Sequence, residues 1–64
     1  MGDFKISLEA ARRNAGLTQS QVAKKIGVTK ETVLRWEKNP EKARLGKIKK
    51  LCDLYKCSIN NIFF

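Results

Sequence analysis

The hydrophobic residues of this chain recur at steps of three and four, the spacing that places side chains on one face of an α-helix. These stripes predict four helices followed by a terminal turn, and no stretch indicates a strand. In chain order the stripes are Phe4, Leu8, Ala11 and Ala15; Val22, Ala23 and Ile26; Val33 and Trp36; Leu45, Ile48, Leu51, Cys52 and Tyr55; and Ile59, Ile62 and Phe63. The pattern predicts a compact all-α domain of four to five helices.

Polar residues suited to start and stop helices lie between the stripes. Thr18 is placed to begin the second helix, and Gln21 three residues later completes a capping-box pattern. Gly27 permits the positive φ that a tight turn requires. Asn39 and Pro40 end the third helix, because proline and the residue before it resist a helical conformation. Further candidate caps are Ser7, Gly16, Thr29 and Ser58.

Residues 18–38 are the segment around which the rest of the chain is organised. They contain two short helices joined at a sharp turn, which is the helix-turn-helix arrangement. On a projection with 100° per residue, Val33 and Trp36 of the second helix lie on one apolar arc. The outward arc holds Lys30, Glu31, Leu34, Arg35 and Lys38. Such a helix packs on a core with one face and presents a charged face to a partner such as DNA.

The charge of the chain favours a polyanionic partner. Fourteen Lys and Arg against six Asp and Glu leave a net charge of +8 on 64 residues, enough for one small domain spanning 1–64. By itself, this charge is equally compatible with RNA, with an anionic membrane or with a solvated lysine-rich surface. No apolar run approaches the roughly 18 residues of a membrane span, and no signal peptide is visible. We therefore expect a cytoplasmic protein of bacterial or phage type.

The cysteines do not indicate a metal site or an enzyme. Cys52 and Cys57 are the two cysteines, and histidine is absent. Structural zinc needs four ligands of these types, so neither a metal nor a cofactor is expected. If one helix carried both, their Cα atoms would lie about 8–9 Å apart, too far for a disulfide. We expect apolar fillers in a reducing compartment, and no catalytic residue or small-molecule substrate.

The joint spacing of several short motifs resembles the lambda-repressor/Cro-like (XRE-type) helix-turn-helix domains, from about Leu8 to Phe63. The motifs are Ala11-Arg12, Gly16-Leu17-Thr18-Gln19, Val22-Ala23, Ile26-Gly27-Val28-Thr29, Thr32-Val33, Arg35-Trp36-Glu37 and Leu51 through Ile62. The resemblance implies that the third helix enters the DNA major groove. It also implies that the base-contacting residues are Lys30, Glu31, Leu34 and Arg35. The family often has a small polar residue where this chain has Leu34.

The chemistry of these four side chains suits base contacts. Arg and Lys donate to guanine O6 and N7, Glu accepts from cytosine N4, and Leu contacts a thymine methyl group. Phosphate contacts are expected at the helix ends and in the basic loop after the third helix. The candidates are Gln19, Ser20, Thr32, Lys38, Asn39, Lys42 and Arg44. For any single lysine among them, simple solvation is the alternative.

Arg12 and Glu37 occupy positions at which the resemblance implies a structural ion pair. An Arg late in the first helix often pairs with an acid at the end of the third helix in this family. Two charges beside apolar stripes are better tolerated when they pair bidentately. We expect a partly buried pair that holds the first helix against the third.

The leading interpretation is a sequence-specific double-stranded DNA-binding protein that represses or regulates transcription, acting as a homodimer on two half-sites. The alternative is a protein-interaction module, such as an antitoxin or antirepressor, with the same fold. The C-terminal Ile62, Phe63 and Phe64 are candidates for a dimer contact. In the competing interpretation, Ile62 and Phe63 close the core instead.

Overall fold

The structure, a computed structural model, describes residues 5–62 of the chain. Its helices are α1 (Leu8–Asn14), α2 (Gln19–Ile26), α3 (Lys30–Lys38) and α4 (Leu45–Tyr55), with 3₁₀ turns at Pro40–Lys42 and Ile59–Asn61. The predicted all-α fold with four helices is confirmed, and residues 5–62 contain no strand. Phe4, Phe63 and Phe64, which the sequence placed in the core or at a dimer contact, lie outside the described residues.

Side chains begin the first three helices as the sequence predicted. The hydroxyl of Ser7 accepts from the backbone N–H of Ala10 at 3.0 Å. Thr18 and Gln21 form the complete capping box, with each side chain accepting from the other residue's backbone N–H. Thr29 caps α3 through the N–H of Thr32. These contacts satisfy N–H groups that an α-helix leaves without partners at its start.

Left-handed residues end α1, α2 and α4. Gly16 and Gly27 have φ values of 75° and 85°, as expected where glycine avoids a steric clash with Cβ. The corresponding residue after α4 is Lys56, with a φ of 59°. A lysine in the sequence does not indicate a positive φ, yet α4 ends at Tyr55, immediately before this residue.

The hydrophobic core lies between α1, the helix-turn-helix and α4. α1 packs against both α3 and α4, while α2 packs on α3. The buried apolar side chains are Leu8, Ala11, Val22, Ala23, Val33, Trp36, Ile48, Leu51, Cys52, Tyr55 and Ile62. α3 therefore rests on α2 and α1, and α4 supports this arrangement by packing against α1.

Two predicted core positions are wrong. Ala15 is exposed because α1 ends at Asn14 and Ala15 is its C-terminal cap. Leu45 is 59% exposed. It is the first residue of α4, and helical side chains lean toward the N-terminus, so that of Leu45 extends beyond the start of the helix. Both errors arose at helix ends.

The two ends of the described chain meet beside the core. Ile6 forms an isolated parallel β-bridge with Ile62, and the backbone N–H of Ile6 donates to the carbonyl of Asn61 at 2.7 Å. Ile62 is 2% exposed. This burial agrees with the interpretation that Ile62 closes the core and disfavours it as a dimer contact.

The arrangement of the cysteines differs from the one considered in the sequence. α4 ends at Tyr55, so Cys57 lies beyond the helix that carries Cys52. The backbone turns back, and the N–H of Cys57 donates to the carbonyl of Cys52 at 3.0 Å. Both thiols are free, with Cys52 buried and Cys57 half-buried. The distance argument against a disulfide assumed one continuous helix and does not apply.

The left-handed conformation of Lys56 predicts a difference between two substitutions. Lys56→Gly and Lys56→Ala both remove the ammonium group, but only glycine removes the Cβ that disfavours positive φ. We expect the glycine variant to exceed the alanine variant in free energy of unfolding by about 1 kcal/mol. Urea denaturation of the two proteins measures this difference. Equal stabilities would contradict the assigned conformation.

Candidate nucleic-acid interface

α3 has one face buried in the core and one face in solvent. Val33 and Trp36 are buried and anchor the helix. The turn that aims α3 is closed by Val28, whose backbone N–H donates to the carbonyl of Ala23 at 2.9 Å. Ala23 is itself buried, as its position between two crossing helices requires. The direction of α3 is therefore set by packing on its inner side.

The four predicted base-contacting residues lie together on the outer face of α3. Lys30, Glu31, Leu34 and Arg35 are all exposed. Leu34 is notable because it is an apolar side chain with 39% exposure beside charged neighbours. Within residues 5–62 no ion pair engages Lys30, Glu31 or Arg35. Their hydrogen-bonding groups therefore remain available to a partner.

Arg12 and Glu37 meet, as the sequence indicated. Arg12 Nε lies 2.6 Å from Glu37 Oε2, and the two side chains are 9% and 5% exposed. The contact joins the last turn of α1 to the last turn of α3. It is not bidentate, because Arg12 Nη1 donates instead to the carbonyl of Leu17 at 2.9 Å. A second nitrogen of Arg12 is thus used by the backbone rather than by Glu37.

The second carboxylate oxygen of Glu37 holds the side chain of Gln19 in place through a hydrogen bond. The amide Nε2 of Gln19 donates to Glu37 Oε1 at 2.9 Å. Gln19 is half-buried at the first position of α2 and was predicted to contact phosphate. An amide has two N–H donors and one acceptor oxygen, so this bond leaves the rest of the group for DNA. Glu37 therefore contacts the first residue of the helix-turn-helix as well as α1.

The other predicted phosphate contacts surround α3. Thr32 is half-buried, and its hydroxyl lies 2.9 Å from that of Thr29. The remaining candidates are exposed and occupy the start of α2, the end of α3 and the segment leading to α4; they are Ser20, Lys38, Asn39, Lys42 and Arg44. No ion pair within the described chain engages the three cations of this group.

A polar cleft of about 310 Å³ lies beside the start of α3. Its lining contains Glu9, Arg12, Arg13, Thr18, Gln19, Ser20 and Lys30. Arg13 was not among the predicted DNA-contacting residues, yet it borders the same cleft as Ser20 and Lys30. It pairs with Glu9 at 2.8 Å in an exposed contact within α1. The spacing of four residues between Glu9 and Arg13 is visible in the sequence. The proximity of Arg13 to Lys30 is not, because it depends on how the helices pack.

A helix-turn-helix family model matches residues 8–62, which is most of the chain. The chain belongs to the lambda-repressor-like (XRE-type) helix-turn-helix family. This confirms the resemblance drawn from the spaced motifs. Proteins of this family are DNA-binding transcription regulators. No curated protein and no solved structure gave a significant match to the chain.

Two other kinds of feature are absent from residues 5–62 of this helix-turn-helix domain. No helix within residues 5–62 has the length and apolar character needed to cross a membrane. Over the same span, no three metal-binding side chains cluster.

Tyr55 lies behind the ion pair of this helix-turn-helix domain. Its side chain is buried, and its hydroxyl makes no hydrogen bond with any residue of the described chain. Burial raises the pKa of Tyr55, and the negative charge of Glu37 raises it further, while Arg12 acts in the opposite direction. The hydroxyl therefore stays protonated in the folded state well above its usual titration range.

Tyr55→Phe is expected to raise the free energy of unfolding by about 1 kcal/mol at neutral pH, because it removes an unpaired buried hydroxyl. The raised pKa of Tyr55 adds a pH dependence. The unfolded chain releases this proton near pH 10 and the folded chain does so later, so the parent loses stability as pH rises above about 10. The advantage of the variant should grow there. Denaturation of both proteins between pH 7 and 11 measures it, and a less stable variant at pH 7 would contradict the unpaired hydroxyl.

Proposed function

We propose that this helix-turn-helix domain binds double-stranded DNA sequence-specifically and represses or otherwise regulates transcription in a bacterial or phage-infected cell, in the cytoplasm. The observation that carries the proposal is the outer face of α3, where Lys30, Glu31, Leu34 and Arg35 are exposed together. A helix about 10–12 Å across fits the B-DNA major groove, which is about 12 Å wide. α3 is the element that enters it.

Each side chain of this face has a chemical counterpart on a base edge. Arg35 and Lys30 donate to guanine O6 and N7, and Glu31 accepts from the amino group of cytosine. The exposed Leu34 contacts the methyl group of thymine. A face that combines donors, an acceptor and an apolar group discriminates among base pairs, whereas a uniformly cationic face attracts only phosphate.

The surrounding residues hold the domain on the DNA backbone. Gln19, Ser20 and Thr32 lie on the amino-terminal turns of α2 and α3. Lys38 is the last residue of α3, and Asn39, Lys42 and Arg44 follow it; the three cations of this group continue the positive surface. Phosphate contacts of this kind set the orientation of α3 before any base is contacted. In this mechanism the surrounding residues position the domain on the DNA backbone, and the outer face of α3 discriminates among base pairs.

We infer that two copies bind together. α3 has nine residues, which corresponds to about 13 Å or roughly four base pairs. A site of four base pairs recurs too often in a genome to direct one regulator. A homodimer on half-sites one DNA turn apart, about 34 Å, doubles the length of the recognised sequence. The proposal requires no cofactor, small-molecule substrate or catalytic step.

Selection of bound duplexes from a random pool, followed by gel-shift titration, tests the function. We expect a selected site with two related half-sites to bind more tightly than its scrambled version. If the function is instead that of a protein-interaction module, no duplex is enriched and binding disappears at moderate salt. That outcome would overturn the proposal.

The dependence of binding on salt tests the phosphate contacts. If about five phosphates are neutralised per subunit, log affinity should fall against log salt with a slope of about −4 to −5 per subunit. Lys42→Ala should weaken binding to all duplexes similarly and reduce the steepness by about 1. Lys42→Arg keeps the charge and serves as the control. An unchanged slope in Lys42→Ala would remove Lys42 from the contact surface.

A further inference from the structure

The carboxyl end of α4 brings the two cysteines of the chain against each other. The N–H of Cys57 donates to the carbonyl of Cys52 at 3.0 Å, and the N–H of Lys56 donates to that of Asp53 at 3.3 Å. Together with the left-handed Lys56, these bonds form the Schellman arrangement. In this arrangement the two residues at the positions of Cys52 and Cys57 commonly make a side-chain contact. The cap therefore places one thiol beside the other.

The separation of the two backbones suits a disulfide. Strand residues paired by backbone hydrogen bonds have Cα atoms about 5.5 Å apart. From the N–H···O bond between Cys57 and Cys52 we infer a similar Cα separation, which lies within the window of about 4.4–6.8 Å found for disulfides. A continuous helix would instead separate Cys52 and Cys57 by about 8–9 Å. The turn at Lys56 therefore brings the Cα atoms of Cys52 and Cys57 closer together than a continuous helix would.

The two thiols differ in their access to solvent. Cys57 is half-buried, whereas Cys52 is buried in the core. Burial, together with the neighbouring Cys57, raises the pKa of Cys52 to about 12. The influence of Cys57 agrees with adjacent sulfur atoms. Because Cys57 is the more accessible thiol, it is the group that meets an external oxidant first.

We propose that Cys52 and Cys57 form a modification site in which a small-molecule disulfide oxidises the pair to an intramolecular disulfide across the cap of α4. The site is distinct from the DNA-contacting face of α3, and the proposal is independent of the proposed function. Its chemical partner is a disulfide of the glutathione type.

The reaction is a pair of thiol–disulfide exchanges. The Cys57 thiolate attacks one sulfur of oxidised glutathione, forming a mixed disulfide and releasing one glutathione thiolate. Cys52 then loses its proton to solvent and attacks the Cys57 sulfur, which releases the second glutathione thiolate. Two protein thiols are oxidised, and one oxidised glutathione is reduced to two glutathione molecules.

Peptide mapping tests the connection. Trypsin cleaves after Lys50 and Lys56, so Cys52 and Cys57 fall on different peptides. After incubation of the folded protein with oxidised glutathione, we expect these two peptides to elute together as one disulfide-linked species. Dithiothreitol should reduce that species to the two separate peptides. In Cys52→Ala, Cys57 should instead retain one glutathione, and in Cys57→Ala the buried Cys52 should stay unmodified. A parent protein that shows only glutathione adducts or intermolecular dimers overturns the proposal.

A second measurement tests whether the folded state itself favours the bond, since any chain with nearby cysteines can cross-link when unfolded. The disulfide should form more favourably in the folded protein than in urea, on the order of tenfold. The oxidised protein should accordingly melt at a higher temperature than the reduced protein. A lower melting temperature, or a weaker tendency to form the bond in the folded state, would show that the cap holds the thiols apart. This comparison needs no variant and does not depend on whether Cys52→Ala folds.

Discussion

Glu37→Gln is expected to lower the free energy of unfolding by about 3 kcal/mol or more. The substitution keeps the shape of the side chain but removes its charge and replaces one acceptor oxygen with a donor. Both oxygens of Glu37 currently accept, one from Arg12 and one from Gln19. The new amide can satisfy one partner only if the other rearranges. Arg12 would remain a buried cation without a counter-charge, which is a large cost in a domain of this size.

The exposed ion pair of α1 supplies the matched control. Glu9 and Arg13 lie 2.8 Å apart, but their side chains are 48% and 71% exposed. Glu9→Gln should therefore cost under about 1 kcal/mol. Thermal and urea denaturation of both variants measure the contrast. A Glu37→Gln protein that melts with the parent would show that the buried pair does not hold α1 to α3.

Arg35→Ala is expected to weaken binding to the selected DNA site by about 10- to 100-fold. Arg35 lies on the outer face of α3 and is exposed, so its removal should leave the melting temperature nearly unchanged. The loss should be largest for the selected site and small for a scrambled duplex, because a base contact is lost. Gel-shift titrations of both duplexes measure this ratio.

Lys38→Ala is the control for Arg35→Ala. It removes one positive charge from the same helix at a position assigned to phosphate, so its effect should be similar for selected and scrambled duplexes. If Arg35→Ala weakened both duplexes equally, Arg35 would act as a phosphate contact. In that case the discrimination would have to come from Lys30, Glu31 and Leu34.

Local signals in the sequence were sufficient for the four helices and most of their ends. Ser7, Thr18 and Thr29 each begin a helix, because a side-chain oxygen close in sequence can satisfy the first free N–H groups. Gly16 and Gly27 end helices for an equally local reason. The end of α4 escaped prediction because Lys56 adopts positive φ without being glycine. The conformation of this residue depends on how the following segment packs.

In the candidate site, too, some features follow from local sequence signals and others depend on how the helices pack. The outward arc of α3 follows from helical periodicity once Val33 and Trp36 are assigned to the core. The pairing of Arg12 with Glu37 came from family resemblance, since nothing in their spacing brings them together. The bond between Gln19 and Glu37, and the position of Arg13 beside Lys30, depend on how α1, α2 and α3 cross. Three-dimensional packing determines these contacts, and hydrophobic periodicity alone does not predict that packing.

The bridge between Ile6 and Ile62 has a consequence for hydrogen exchange. The amide proton of Ile6 is held by the carbonyl of Asn61, so it exchanges with solvent only when the contact between the two ends of the described chain opens. Its exchange rate therefore reports the opening of that contact. Because Ile62 is buried there, both ends should loosen together as one cooperative unit. A single resonance near the start of the chain can thus monitor how firmly its last turn is docked.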